Sequence, residues 1–179
     1  MGGRDKLLEK VDGQPLLQMI CTRALDSGLP VFVTLPAPDH PRAQLVAGCT
    51  PVWVPDAAEG MAASVRRGIG SLPDTTRAVM ILPSDMPDLQ TEDFCIIANA
   101  LGDEIRIIRG ATDDGRPGHP VLFPKAHFAD LQKATGDEGG RSIIKAHKDL
   151  VTLVRLDGVR ALTDLDTPEA WATWRANQR

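Results

Sequence analysis

The stretch that most limits what this chain can become is Val79-Met80-Ile81-Leu82-Pro83-Ser84-Asp85-Met86-Pro87. An apolar run with β-branched residues stops at a proline, and a single carboxylate then stands between two prolines. Such a run reads as a buried parallel strand whose carboxyl end delivers Asp85 into the crevice where open α/β sheets take their ligands. A carboxylate in that place suits a hard divalent cation such as Mg²⁺, which takes oxygen ligands and bridges phosphates. The same nine residues also fit a turn aspartate that caps the next helix.

The segments around this strand alternate between short apolar runs and helical patterns. Gly13-Gln14-Pro15 introduces Leu16, Leu17, Met19, Ile20, Ala24 and Leu25, a helical pattern with Pro15 in its first turn and Gly28 after its end. Val31 to Leu35 predicts a strand, a short helix falls near Arg42 to Ala47, and Val52 to Val54 predicts the next strand. Glu92 to Leu101 predicts a helix capped by Thr91. Ile105 to Arg109, Gly118 to Pro124 and Val151 to Leu156 predict further strands. This succession points to parallel βαβ units.

Four stretches carry chemistry. Met1 to Leu8 mixes Gly2 and Gly3 with Arg4 and Lys6, the composition of a phosphate cradle and equally of a solvated chain end. Glu59 to Ile69 opens a helix with Gly60 and Met61, so that Ser64 and Arg66 or Arg67 could face a ligand or only solvent. His119 falls at the mouth of its strand, where it could touch a substrate or bond a carbonyl. Gly136 to Ile144 is a second glycine-rich loop opening a helix, with Arg141 available to an anion and with Asp137 and Glu138 complementing the helix dipole. Near the end, Asp164 and Asp166 stand two apart on an extended segment and point the same way, so that they could join Asp85 at the metal or only fix the turn. Thr167 and Pro168 start a last helix with Trp171 and Trp174 on one face.

Bulk properties narrow the function. With 179 residues, 42% of them hydrophobic, the chain has material for one domain with a substantial core. Its net charge of −4 argues against broad nucleic-acid binding and leaves room for a concentrated cationic pocket. Cys21, Cys49 and Cys95 follow no metal-ligand rhythm and predict reduced thiols in a cytoplasmic protein. No apolar run approaches the roughly 18 residues of a membrane span, and no leader pattern opens the chain, so neither a membrane nor export is expected.

In order along the chain, G-G-R-D-K-L-L at 2–8, G-Q-P-L-L at 13–17, E-G-M-A-A-S-V-R-R-G-I at 59–69, S-D-M-P at 84–87, G-H-P-V-L-F at 118–123, G-D-E-G-G-R-S-I-I at 136–144 and D-L-D-T-P-E at 164–169 together resemble the MobA-like nucleotidyltransferases. The nearest branch is similar to the molybdenum cofactor (molybdopterin) cytidylyltransferases. The resemblance implies a Rossmann-like, doubly wound three-layer α/β sandwich with a mostly parallel sheet, of the nucleotide-diphospho-sugar transferase type, over residues 1–179. It implies transfer of CMP from CTP to the phosphate of molybdopterin, with Mg²⁺ and release of pyrophosphate. Carried over by position, Arg4, Lys6 and Asp85 are catalytic. Gly2, Gly3, Lys6, Gly60, Met61 and Ser64 bind the nucleotide, and Gly118, His119, Pro120, Gly139 and Arg141 face the pterin. Asp85 binds the metal, with Asp166 as a candidate second ligand. A molybdoenzyme is a candidate partner. GTP in place of CTP, a sugar-phosphate acceptor, or a non-catalytic module that hands cofactor to an oxidoreductase are the alternatives.

The chain departs from this pattern at its start, because the family opens with an apolar strand and an L-A-A-G-x-S-x-R or L-A-G-G-x-S-x-R loop ahead of M-G-G. The expectation is that upstream residues of the natural protein are missing here. Without that strand, neighbouring strands would carry unpaired backbone groups, each costing about 1–3 kcal/mol if buried.

Overall fold

In the computed structural model, residues 5–103, 105–137 and 139–177 are described. The strands are β1 (Lys10–Val11), β2 (Gln14–Pro15), β3 (Phe32–Leu35), β4 (Thr50–Trp53), β5 (Ala78–Ile81), β6 (Ile107–Ala111), β7 (Pro117–Pro124) and β8 (Val151–Arg155). The helices are α1 (Leu16–Asp26), α2 (Met61–Gly70), α3 (Thr91–Asn99), α4 (Phe128–Leu131), α5 (Arg141–Ala146) and α6 (Pro168–Asn177). Strand order in the larger sheet is β5-β7-β6-β8, with β3 and β4 forming a separate parallel pair. Only β7 runs against its neighbours, since β5 and β6 both pair with it antiparallel and β8 is parallel to β6.

Alternation of side chains across these strands builds two cores, one on each face of the sheet. Ala78 and Met80 of β5, Ile108 of β6 and Leu122 of β7 join the core formed with α1, α3 and α6. Val79 and Ile81, Ile107, and Val121 and Phe123 turn to the other face and meet Val65 and Ile69 of α2, Leu131 of α4 and Ile143 of α5. The result is helices on both faces of a mixed sheet in which β5, β6 and β8 run one way and β7 the other, the three-layer, doubly wound arrangement expected from the sequence.

Several local expectations need adjusting. Strand β5 is half-buried along its whole length, and its only described partner is the antiparallel β7. Beyond β4 and β7, the other edges of β3 and β5 have no ladder partner among the described residues. Helix α3 is capped one residue earlier than expected: the Gln90 N–H donates to Asp93 Oδ2 at 2.8 Å, while the Thr91 hydroxyl donates instead to the Arg23 carbonyl. Residues Pro41–Leu45 form a 3₁₀ turn in place of an α-helix. The β1–β2 hairpin was not foreseen, although Asp12-Gly13, both at positive φ, is the dipeptide that a tight hairpin turn favours.

Candidate functional site

The site starts from a pinned turn. Asp5 caps the 3₁₀ turn Lys6–Leu8 by accepting from the Leu7 N–H at 3.1 Å, and Arg42 grips both of its oxygens at 2.7 Å. The Arg42 guanidinium hydrogen-bonded to Asp5 holds that carboxyl below its ordinary value. Leu7 is buried, so the turn cannot rotate without exposing apolar surface, and Lys6 is thereby aimed.

Lys6 donates to Asp85 Oδ2 and to Asp166 Oδ1, residues 79 and 160 positions away along the chain. The turn bearing Asp85 follows β5 and is clamped from three sides. Arg23 donates to the carbonyls of Pro87 and Leu89 at 2.6 and 2.8 Å, and the Trp174 indole donates to Asp88 at 2.7 Å. The Leu165 N–H donates to the Asp85 carbonyl at 3.1 Å, which brings the 164–166 segment alongside. Asp85 is only 7% exposed, and its Oδ1 is buried with no hydrogen-bond partner among the described residues. Burial by itself would lower the Lys6 pKa, but the hydrogen bonds to Asp166 and Asp85 outweigh it and raise the pKa above the ordinary lysine value. The Lys6 hydrogen bond holds Asp166 below the ordinary carboxylate value.

His119 extends this cluster. Burial pushes its imidazole below the ordinary value, Arg109 adds to that effect, and the Ile81 backbone and the carboxylates of Asp85 and Asp164 oppose it. Its Nδ1 is buried without a partner among the described residues. Arg109 is held by the Gly118 carbonyl at 2.9 Å, and burial and the nearby charge of Arg141 both depress it. The positive charges of Arg109 and Arg141 are thus near enough to act on one another, and Arg109 acts on His119 as well, a local field suited to an anion. Gly118 serves packing here: a Cβ at that position would lie 1.9 Å from the Ala161 carbonyl oxygen, which already accepts from the His119 N–H at 2.8 Å. Pro120 follows His119 through a cis peptide bond.

The remaining expected residues meet at the start of α2. Gly60 sits at φ 102°, where a side chain would strike Asp137 and the Gly136 backbone. The Met61 N–H donates to Asp137 Oδ1 at 3.3 Å and the Ala62 N–H to the Gly136 carbonyl at 2.9 Å. Met61 also lies against Gly139, and Ser64 is half-buried one turn on. Arg66 and Arg67 pair with Glu59 and Asp56 at 2.6 and 3.1 Å, the solvated-face alternative weighed from sequence. The two groups share the 136–141 loop, whose Gly139 touches Met61 and whose Arg141 acts on Arg109. Gly2, Gly3 and Arg4 lie outside the described residues.

Sequence reading did not single out Asp5, Arg42 or Arg109 as site residues, and it passed over His127, Asp130 and His147, whose donor atoms gather within 4.8 Å of one another. The only signal for that second cluster is the three-residue step from His127 to Asp130, which puts two donors on one side of a helical turn. No helix among the described residues is long and apolar enough to cross a membrane. Cys21, Cys49 and Cys95 are free thiols.

The lysine and guanidinium groups can neutralise and position phosphates, and the two carboxylates offer oxygens to a divalent cation. The chain is similar in fold to Rv0371c from Mycobacterium tuberculosis H37Rv, at 21% identity and TM-score 0.82, over 96% of this chain and 89% of that one. A structure of Rv0371C in complex with manganese matches at 22% identity and TM-score 0.77, covering 96% and 91%. CMP:2-keto-3-deoxy-manno-octonic acid synthetase complexed with CTP matches at 12% identity and TM-score 0.72, covering 97% and 91%. None of the curated proteins matches the chain. The model of the MobA-like NTP transferase domain matches residues 1–151, and the chain belongs to that family of nucleotidyltransferases.

Proposed function

We propose that this protein transfers CMP from CTP to the phosphate of molybdopterin, releasing pyrophosphate, as one transferase domain acting in the cytoplasm with Mg²⁺. The observation that carries the reading is the meeting of Lys6, Asp85 and Asp166, with a buried oxygen of Asp85 left unpartnered. An oxygen-only donor pair of this kind fits Mg²⁺, which when bound would neutralise charge on the triphosphate. Asp85 and Asp166 are the residues that would hold it. Lys6, positively charged at neutral pH, turns from the carboxylates to the triphosphate oxygens. Arg109 and Arg141 hold the acceptor phosphate beside His119. An oxygen of that acceptor forms the new bond to the α-phosphorus as the bond to the β-phosphate oxygen breaks, so no protein nucleophile is required. Such a reaction asks mainly for positioning and electrostatic stabilisation.

Two motifs favour CTP over GTP, because G-M-A-A-S at 60–64 and G-H-P-V-L-F at 118–123 resemble the cytidylyl branch. The similar fold of a synthetase solved with CTP supports the same choice. The test is pyrophosphate release from CTP or GTP with Mg²⁺ and molybdopterin, alongside calorimetry of nucleotide binding. Release that needs both CTP and molybdopterin is expected. Binding of CTP with no release under any combination would instead assign a nucleotide-binding module.

A further inference from the structure

We propose that His127, Asp130 and His147 form a second metal site, distinct from the carboxylates at Asp85, that takes a divalent transition cation of the Zn²⁺ class and fastens α5 to the turn after β7. His127 lies on the 3₁₀ turn Lys125–His127 that ends β7, Asp130 on α4, and His147 at the end of α5. One donor atom from each lies within 4.8 Å of the other two. In a tetrahedral zinc shell, bonds of about 2.0–2.1 Å put donors roughly 3.4 Å apart, so the widest pair closes by no more than about 1.4 Å. Asp130 and His147, the less buried members, have the freedom to make that adjustment.

The independent observation is the state of His127. It is 4% exposed, and its Nε2 is buried with no hydrogen-bond partner among the described residues. A buried ring nitrogen that no protein group satisfies is open to a cation, and imidazole nitrogen is a common ligand of such ions. The two imidazoles stand with centroids 4.8 Å apart and planes tilted by 58°, so neither stacks flat on the other. Two nitrogen donors and one carboxylate favour a borderline cation over Mg²⁺.

Asp130 and His147 also line a cleft of about 360 Å³ together with Lys133, Thr135 and Ser142, which leaves an open side for water in the fourth position. Lys133 faces Asp130 at 3.7 Å from an exposed position and can swing away to solvent. The ligands come from either side of the 136–141 loop, so an ion here would hold α5, and with it Gly139 and Arg141, against the sheet. This site does not rest on the transferase reading.

The full chain should be titrated with Zn²⁺ by calorimetry, and with Co²⁺ for the visible absorption of a tetrahedral site, in a buffer free of nucleotide. One equivalent of tight binding is expected, with a higher melting temperature and slower amide exchange over α5. His147→Asn should weaken binding by more than about 100-fold, beyond the 10–100-fold that follows loss of an outer partner. Asp130→Asn, at an exposed position where folding is safe, should weaken it by at least about tenfold. Asp85→Ala should leave this binding unchanged. Failure of the wild type to bind, equal affinity in His147→Asn and wild type, or loss of the equivalent in Asp85→Ala would each overturn the proposal.

Discussion

Asp85 and His127 are both nearly closed to solvent, at 7% and 4% exposure, and each keeps one buried polar atom without a partner among the described residues. Their surroundings differ in kind. Asp85 already has an internal cation in Lys6, shared with an exposed Asp166, so its charge is balanced while a second oxygen stays available. His127 has a second imidazole beside it, a carboxylate at the rim and an adjoining cleft. Under the two proposals, the first cluster would take hard, oxygen-bound charge that comes and goes with phosphates, and the second a nitrogen-ligated ion that stays. A buried unpartnered atom is thus not a sign of one chemistry. The donors around it decide which ligand it can take.

Asp85→Ala should lower pyrophosphate release by at least about 10²–10³-fold while circular dichroism stays that of the wild type. Unchanged turnover would remove Asp85 from the reaction. Lys6→Met should reduce turnover by on the order of 10²-fold. It should also destabilise the fold by about 1–3 kcal/mol in urea titration, because the buried Asp85 carboxylate loses its partner. Gly118→Ala should cost roughly 1–3 kcal/mol, since the new methyl meets the Ala161 carbonyl oxygen, and it should disturb His119 through the same strand. Asp5→Ala should loosen the Lys6 turn by about 1 kcal/mol and raise KM for the nucleotide more than it changes Zn²⁺ binding.

The smallest effect is in pH dependence. Asp5 and Asp166 have folded values below the ordinary one, so the stability they contribute is present above about pH 4 and is lost as pH falls through their lower folded values. Lys6 has a raised folded value, so its contribution is complete below about pH 10 and is lost only as pH rises through that higher value. Asp166→Asn should flatten the acid limb of the stability curve by less than about 1 kcal/mol, as its side chain is 63% exposed. An acid limb identical to wild type would show that Lys6 serves Asp85 alone.

Much of the frame was legible because it rests on short-range regularities. The alternation in Val79-Met80-Ile81 and Val121-Leu122-Phe123 sorts side chains to the two faces, and Thr167-Pro168 starts α6 with the Ala170 N–H bonded to Thr167 at 3.1 Å. The cap of α3 was misplaced by one residue because Gln90 and Thr91 compete for the same role, and Thr91 has a tertiary partner in Arg23. The short β1–β2 hairpin escaped notice because its strands are two residues each, too short to show alternation. The antiparallel, half-buried setting of β5 was hidden because an apolar run does not state which strand will lie beside it.

Residue order alone determined most of the longer strands and helices, and it put a carboxylate just beyond β5 and cations before β1. Only the folded chain decided that Lys6 would reach Asp85 and Asp166, that the charge of Arg141 would act on Arg109, and that His127 would meet His147. The physical reason is range. Propensity, capping and periodicity act over a few residues, whereas these meetings depend on strand order and on loops closing over tens to more than a hundred positions, which packing on the two faces of the sheet selects.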